Sequence, residues 1–303
     1  MTEEQMNRVL NTKHHHDSSK KSAIELSKQM QKIMLKLKGE FIQEDGKGVN
    51  YAGMKDSALF QDYIDNVAPQ LQHVDLDNIT EYEKKAFFIN IYNALTIHGL
   101  ASLAELPQSV LKVKHFWATT CYNIGGLVYS LDDVEHGILR GNRGHPSTIE
   151  PTFKTDDPRL KFIVNELDPR IHFALVCGAK SCPAINVYSA ENLDQALDAA
   201  TRSFCAQEVS MFTETNEIWL SKIFQWYSQD FGRTDIDVMK WTVPYLEKSV
   251  QDRAHLLLTK LEKVSPVDVK YNEYDWSLNC PRPTLNSAGI HPNDLMEREN
   301  NRS

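Results

Sequence analysis

Two cysteines, Cys177 and Cys182, stand five residues apart in the segment RIHFALVCGAKSCPAI, on either side of a glycine-containing turn. A thiol at the edge of a core segment can face a cleft and act as a nucleophile, and neighbouring backbone N–H groups can stabilise the oxyanion that forms. Cys182, followed by Pro183, is the candidate nucleophile. Cys177, ending an apolar run, fits a small core hydrophobe better. A nucleophilic thiol needs a base, or a cation that lowers its pKa, within hydrogen-bond reach. His136, in the short polar stretch EHGILRG, is the first candidate. His172 is the second, although alternation along RIHFALVC places it with Ala174 and Val176. His98 lies on an apolar helix and fits a structural role.

An imidazole base requires an orienting partner. Asn93, Asp275 and Asn279 are available for this. Arg140 and Arg170 are candidate ligands for a substrate carboxylate or phosphate; the competing role is ion pairing with Asp132, Asp133 or Glu135. His172 and Trp276 complete the candidate substrate contacts. The chemistry implied is attack of the Cys182 thiol on an amide or thioester carbonyl, with His136 as base, Asn93 or Asp275 fixing the ring, and water releasing the acyl group. The substrate is a small molecule or peptide of unknown identity, and no cofactor is expected. Both candidate bases precede Cys182, so a papain-like site would need a circularly permuted order.

Two other readings use the same residues. His172, Cys177 and Cys182 are spaced H-x4-C-x4-C, and Cys280 or His136 would complete a structural zinc site. Alternatively the domain is a non-enzymatic binding module, with Trp117, Trp219, Trp226, Trp241 and Trp276 serving packing or an interface. Gly125-Gly126 lacks the context of a nucleotide-binding loop and fits a hairpin turn. No nucleic-acid-binding signature is visible.

The elements that must position these groups are mostly helical. Ala23, Leu26, Met30, Ile33, Met34 and Leu37 recur at helical spacing and predict an amphipathic helix within residues 23–45, whose basic character also permits a protein or membrane-surface contact. Further helices are expected at residues 57–68, 81–100, 191–207, 236–247 and 250–262. Thr80 and Glu83 form a capping box before the second of these. A hairpin is expected within residues 116–131, a short helix at DDVEHGILRG, and strands at RIHFALVC, near residues 217–223 and at VDVKYNEYDWSLN. Helices predominate and no regular β-α-β period appears, so the expected architecture is α+β: a single compact, mainly helical domain with a small sheet.

The 303 residues are 41% hydrophobic and 24% charged, with a formal net charge of −8, which suits a folded domain and disfavours nonspecific nucleic-acid binding. No apolar run has the length of a membrane span, and AFFINIYNALTIHGL is broken by Asn90, Asn93 and His98. The five dispersed cysteines do not form a secreted disulfide framework, and a reducing, cytoplasmic setting is expected. Residues 1–22, with His14, His15 and His16, read as a polar tail, as do residues 286–303.

The motifs FFINIYNALTIH, YSLDDVEHGILRG, RIHFALVCGAKSCP and YDWSLN, in that order, resemble the DUF547 family, with a similar domain over roughly residues 50–285. The resemblance implies a domain whose function the family name leaves open. It directs attention to Asn90, Asn93, His98, His136, Arg140, Arg170, His172, Cys177, Cys182, Asp275, Trp276 and Asn279.

Overall fold

A computed structural model describes residues 7–13, 19–148, 150–263 and 266–281. At its centre is the helix Glu81–Ala101, started by the Thr80/Glu83 capping box, in which each side chain bonds the other residue's backbone N–H. From Ala86 to Ala101 every residue of this helix is buried. Polar groups on a helix buried all round must find partners inside the protein. Asn90 donates to the Tyr188 carbonyl and accepts from its N–H. Asn93 donates to the Ala174 carbonyl and accepts from the Val176 N–H. His98 Nδ1 meets the Tyr122 hydroxyl at 2.8 Å, and burial lowers the imidazole pKa to about 3, which keeps it a neutral core residue.

The two asparagines explain why the RIHFALVC segment is not the expected strand. Asp168 caps a 3-10 turn, Pro169–Phe173, by accepting from the Arg170 N–H, and Pro169 supplies no ladder donor. Beyond the turn, the Asn93 amide satisfies backbone groups that a neighbouring strand would otherwise have paired. The chain therefore crosses the central helix in an extended but irregular path.

The amphipathic helix runs Ala23–Phe41 and buries the expected stripe, Ala23, Leu26, Met30, Ile33, Met34 and Leu37, in the same core as the central helix. Its apolar face is occupied by the chain's own core, so this stripe does not offer a partner surface. The hairpin forms as expected from Thr120–Ile124 and Leu127–Ser130, turning through Gly125 and Gly126 at φ of 60° and 86°. Positive φ at both central residues matches the twist of a two-residue hairpin turn.

Part of the leader read as a polar tail is built into this sheet. Arg8–Val9 pairs parallel with Thr120–Cys121. Asn11, fully buried, donates to the carbonyls of Ala68 and Asn123 and accepts from the Asn123 N–H. One buried side-chain amide that satisfies three backbone groups holds a polar segment in place without apolar residues. His14, His15 and His16, and the tail at 286–303, lie outside the described residues.

Among the described residues there are three small sheets rather than one. The last, formed by Ser210–Phe212, Glu217–Leu220 and Asp268–Tyr271, encloses a second core with the helices Leu193–Glu208, Asp235–Thr242 and Lys248–Glu262. Phe173 belongs to this core while its neighbours Ile171 and Ala174 belong to the first. The segment carrying the candidate chemistry thus runs along the junction of the two. The architecture is α+β, mainly helical, and no helix is long and apolar enough to cross a membrane among the described residues.

Candidate active site

At this junction lies a cleft of about 750 Å³. Its lining includes Cys177 and Cys182, the polar residues Asp132, Glu135, His136 and His172, and the aromatic residues Trp117, Trp226, Tyr274 and Trp276. The cysteine loop is held from outside by the YDWSLN segment. Lys180 donates to the Ser277 carbonyl, Ser181 to the Asp275 carbonyl, and Asn279 to the Gly178 carbonyl. Gly178 makes the turn at φ 91°, and a Cβ there would meet Leu100 Cδ1 at 2.6 Å.

The Cys182 sulfur is surrounded by donors. The Cys177 N–H reaches it at 3.2 Å, the Tyr274 hydroxyl at 3.3 Å and the Cys177 thiol at 2.7 Å. Burial alone would raise the Cys182 pKa, but the hydrogen bonds from the Cys177 thiol, Tyr274 and the Cys177 N–H outweigh it and lower the thiol to about 7. The proton is held on Cys177, which its bond to Cys182 and burial push well up. Cys182 is therefore the more acidic thiol of the pair. Neither cysteine is at a helix N-terminus; the local donors stabilise the thiolate instead.

The expected Cys182–His136 hydrogen bond is not formed. His136 sits on a π-helical turn, Asp133–Leu139, which is packed tightly enough that a Cβ on Gly137 would lie 2.2 Å from Phe153 Cζ. Arg140 Nη1 lies 3.0 Å from His136 Nδ1. Guanidinium only donates, so Nδ1 must accept and the ring proton is on Nε2. Burial lowers the His136 pKa to about 4, with Glu135 opposing the shift and Arg140 adding to it. At neutral pH this imidazole is a neutral N–H donor, a poor base for a thiol. Its Nε2 is 4.0 Å from Asp132, whose carboxyl is raised to about 7 by burial and by the adjacent Glu135 and Asp133.

His172 has the opposite polarity. Its Nε2 lies 2.9 Å from Asp230, which also accepts from Arg140 Nε at 2.6 Å, Arg140 Nη2 at 3.1 Å and Arg143 Nη1 at 2.7 Å. Burial would raise Asp230, but the bonds from His172 and Arg140 hold it well below the usual carboxylate range. The carboxylate accepts from the N–H at Nε2, so Nδ1 is the ring nitrogen that Asp230 leaves unoccupied. The ring is also stacked on Tyr227, centroids 4.0 Å apart, and Tyr227 donates to Glu135 at 2.6 Å.

Several expected roles are corrected by these contacts. Asn93 clips backbone in the core and does not orient an imidazole. Asp275 braces the cysteine loop, receiving the Ser277 N–H on its carboxylate while its own N–H donates to Ser181 Oγ. Arg140 is spent on Asp230, His136 and the Gly144 carbonyl, and so positions the two histidines. Arg170 lies outside the cleft, bound to Asp168, Asp194 and Asp198. Trp276 is in the aromatic wall, its ring 4.7 Å from Tyr274 and 5.6 Å from Trp226. The zinc set is not assembled: His172 Nε2 is taken by Asp230 and the Cys280 thiol faces the Pro281 carbonyl. Among the described residues no group of three or more His, Cys, Asp or Glu side chains could hold a metal ion.

Asp230 and Tyr227 are the site residues that sequence reasoning missed. Both sit in the aromatic segment FQWYSQDFG, and no local spacing links Asp230 to a histidine 58 residues away.

Residues 76–205 match the family model described as "Protein of unknown function, DUF547". No curated protein and no solved structure matches the chain. The matched segment contains Asp132, His136, His172, Cys177 and Cys182, whereas Tyr227, Tyr274 and Trp276, which also line the cleft, and Asp230, which holds His172 from behind, follow it. Residues 76–205, less than half of the chain, are thus similar to the DUF547 family.

Proposed function

We propose that the cleft is the site of a cysteine-dependent hydrolase acting on a thioester or amide, with Cys182 as nucleophile and His172 as base. The observation that carries this reading is the donor shell around the Cys182 sulfur, in a cleft that also holds an Asp230-oriented imidazole. His172 is not hydrogen-bonded to Cys182 in the resting cleft, so in this reading its Nδ1 accepts the Cys182 proton through one intervening water, and the thiolate attacks the carbonyl carbon. His136, which lines the same cleft, is the neutral Nε2–H donor assigned to the developing negative charge. The tetrahedral intermediate collapses, the leaving group takes the proton from His172, and an acyl thioester remains on Cys182. Water then gives a proton to His172 and attacks the thioester, releasing the acid and restoring the thiol. Asp230 and Arg140 position the imidazoles and touch no reacting atom. A reducing compartment such as the cytoplasm is the setting in which such a thiol persists.

The aromatic wall favours a second reading, a binding module for a flat or apolar ligand face. Acylation distinguishes the two. Reduced protein is mixed with a short-chain acyl thioester and followed by intact mass and peptide mapping. The hydrolase reading expects an acyl adduct on Cys182 that is absent in Cys182→Ser and persists longer in His172→Ala. Acylation of no cysteine, or of the other cysteines at the same rate as Cys182, overturns it in favour of the binding module.

A further inference from the structure

The pairing of two thiols in the cleft has a use that acyl transfer does not need. The Cys177 and Cys182 sulfurs are in direct contact, and both are free thiols. Their side chains already face each other, so a disulfide between them requires only local adjustment. The loop between them is short and held in shape: Gly178 takes the left-handed turn, Cys182 N–H bonds the Ala179 carbonyl, and Ala179 bridges to Leu278. Cys182 is nearly sealed by protein, but both sulfurs line the 750 Å³ cleft, which admits a small oxidant. Cys121 and Cys205, by contrast, are buried away from that cleft, and Cys280 faces a carbonyl.

We infer that Cys177 and Cys182 form a peroxide-responsive dithiol, with Cys182 the sulfur that is oxidised first and Cys177 the resolving cysteine. The Cys182 thiolate attacks one oxygen of hydrogen peroxide, breaking the O–O bond. The product is a sulfenic acid on Cys182, and the departing hydroxide takes a proton to become water. The Cys177 sulfur then attacks the Cys182 sulfur, the S–S bond forms as the S–O bond breaks, and a second water leaves. Two thiols lose two electrons and one peroxide gains them. A dithiol reductant reverses the reaction. The disulfide removes the Cys182 thiolate from the cleft, so every reaction of that sulfur with an electrophile stops until it is reduced. The inference stands on the pair's geometry and does not require that the cleft hydrolyse anything.

The test uses the full chain, reduced and then freed of reductant, with one equivalent of hydrogen peroxide as the probe. The expected result is a loss of about 2 Da in intact mass. Peptide mapping places the bond between Cys177 and Cys182, and dithiothreitol restores the original mass. In Cys177→Ser the resolving thiol is gone, so a sulfenic acid, a gain of about 16 Da that dimedone traps, accumulates on Cys182. Should Cys177→Ser fold poorly, the wild-type peptide map decides alone. Wild type that keeps both thiols, or that carries sulfenic or higher acids on Cys182 in place of the disulfide, overturns the inference. Because acylation is measured on reduced protein, failure of either experiment leaves the other proposal standing.

Discussion

Replacing Asp230 tests the electrostatic arrangement that sets the two histidines apart. The Asp230 side chain has no solvent exposure, and Arg140, its bidentate partner, is 5% exposed. Removing one member of a buried, hydrogen-bonded ion pair leaves the other charged and unsolvated, which costs about 3–5 kcal/mol. Asp230→Asn keeps the volume, so packing is conserved and the lost charge dominates. It also turns an amide N–H toward donors. We expect urea unfolding at pH 7 to show a stability loss in that range. The double variant Arg140→Met/Asp230→Leu should recover only part of it: the unpaired buried charge is gone, but the His172 ring and the Gly144 carbonyl lose their partners. The pH dependence supplies an independent check with a fixed sign. Asp230 is held below its unfolded value, so its contribution is present in full above the ordinary carboxylate pKa of about 3.9 and is lost as pH falls toward the folded value. The gap between wild type and Asp230→Asn should therefore narrow by about 1 kcal/mol on going from pH 7 to pH 3. A loss below about 1 kcal/mol at pH 7, or a gap that does not change with pH, would refute the buried pairing.

Three further expectations follow from single contacts. Tyr274→Phe removes one hydroxyl donor from the Cys182 sulfur, and a hydrogen bond to a charged group is worth about 1.5–3 kcal/mol, so the thiol pKa should rise by about 1–2 units in a pH titration of alkylation; no rise would remove Tyr274 from the donor shell. The His136 imidazole should titrate near pH 4 by NMR, its protonation destabilising the fold as pH falls from about 6.5 because the unfolded chain takes the proton first; a midpoint above 6 would contradict the Arg140-fixed tautomer. Gly137→Ala forces a methyl group against Phe153 and should cost about 1–3 kcal/mol in chemical unfolding, whereas a change under about 0.5 kcal/mol would mean the π-helical turn is not tightly packed there.

Local patterns in the sequence were enough for the elements that make their own hydrogen bonds. The capping box at Thr80 and Glu83, the apolar stripe from Ala23 to Leu37 and the Gly125-Gly126 turn each specify an element through neighbours in the chain. RIHFALVC failed because its partner is not a strand: a side-chain amide from Asn93, 81 residues before Ala174, satisfies its backbone. Apolar content alone cannot distinguish a strand from an extended segment paired in this way. The candidate site was legible in part for the same reason. Cys182, His136 and His172 announced themselves by type, and all three line one cleft. Their roles depend on which ring nitrogen is occupied, and that is decided by Arg140 and Asp230 across the fold. Arg170 illustrates the reverse error. Its motif suggested an anion site, but three aspartates, two of them on the helix Leu193–Glu208, already neutralise it.

The most direct test of the account is the pH dependence of iodoacetamide labelling at Cys182, read by mass spectrometry on the reduced, folded protein. With the thiol lowered from 9.0 to about 7, the thiolate fraction at pH 7 is about 50-fold above that of an ordinary cysteine. The weaker nucleophilicity of a less basic thiolate takes back about 8-fold, leaving a net advantage of about 6-fold at pH 7 and a disadvantage above about pH 8. The account predicts an inflection near pH 7 at Cys182 and a crossing of the two curves. An inflection near 9, with labelling at pH 7 no faster than that of a free cysteine in an unfolded peptide, would contradict it.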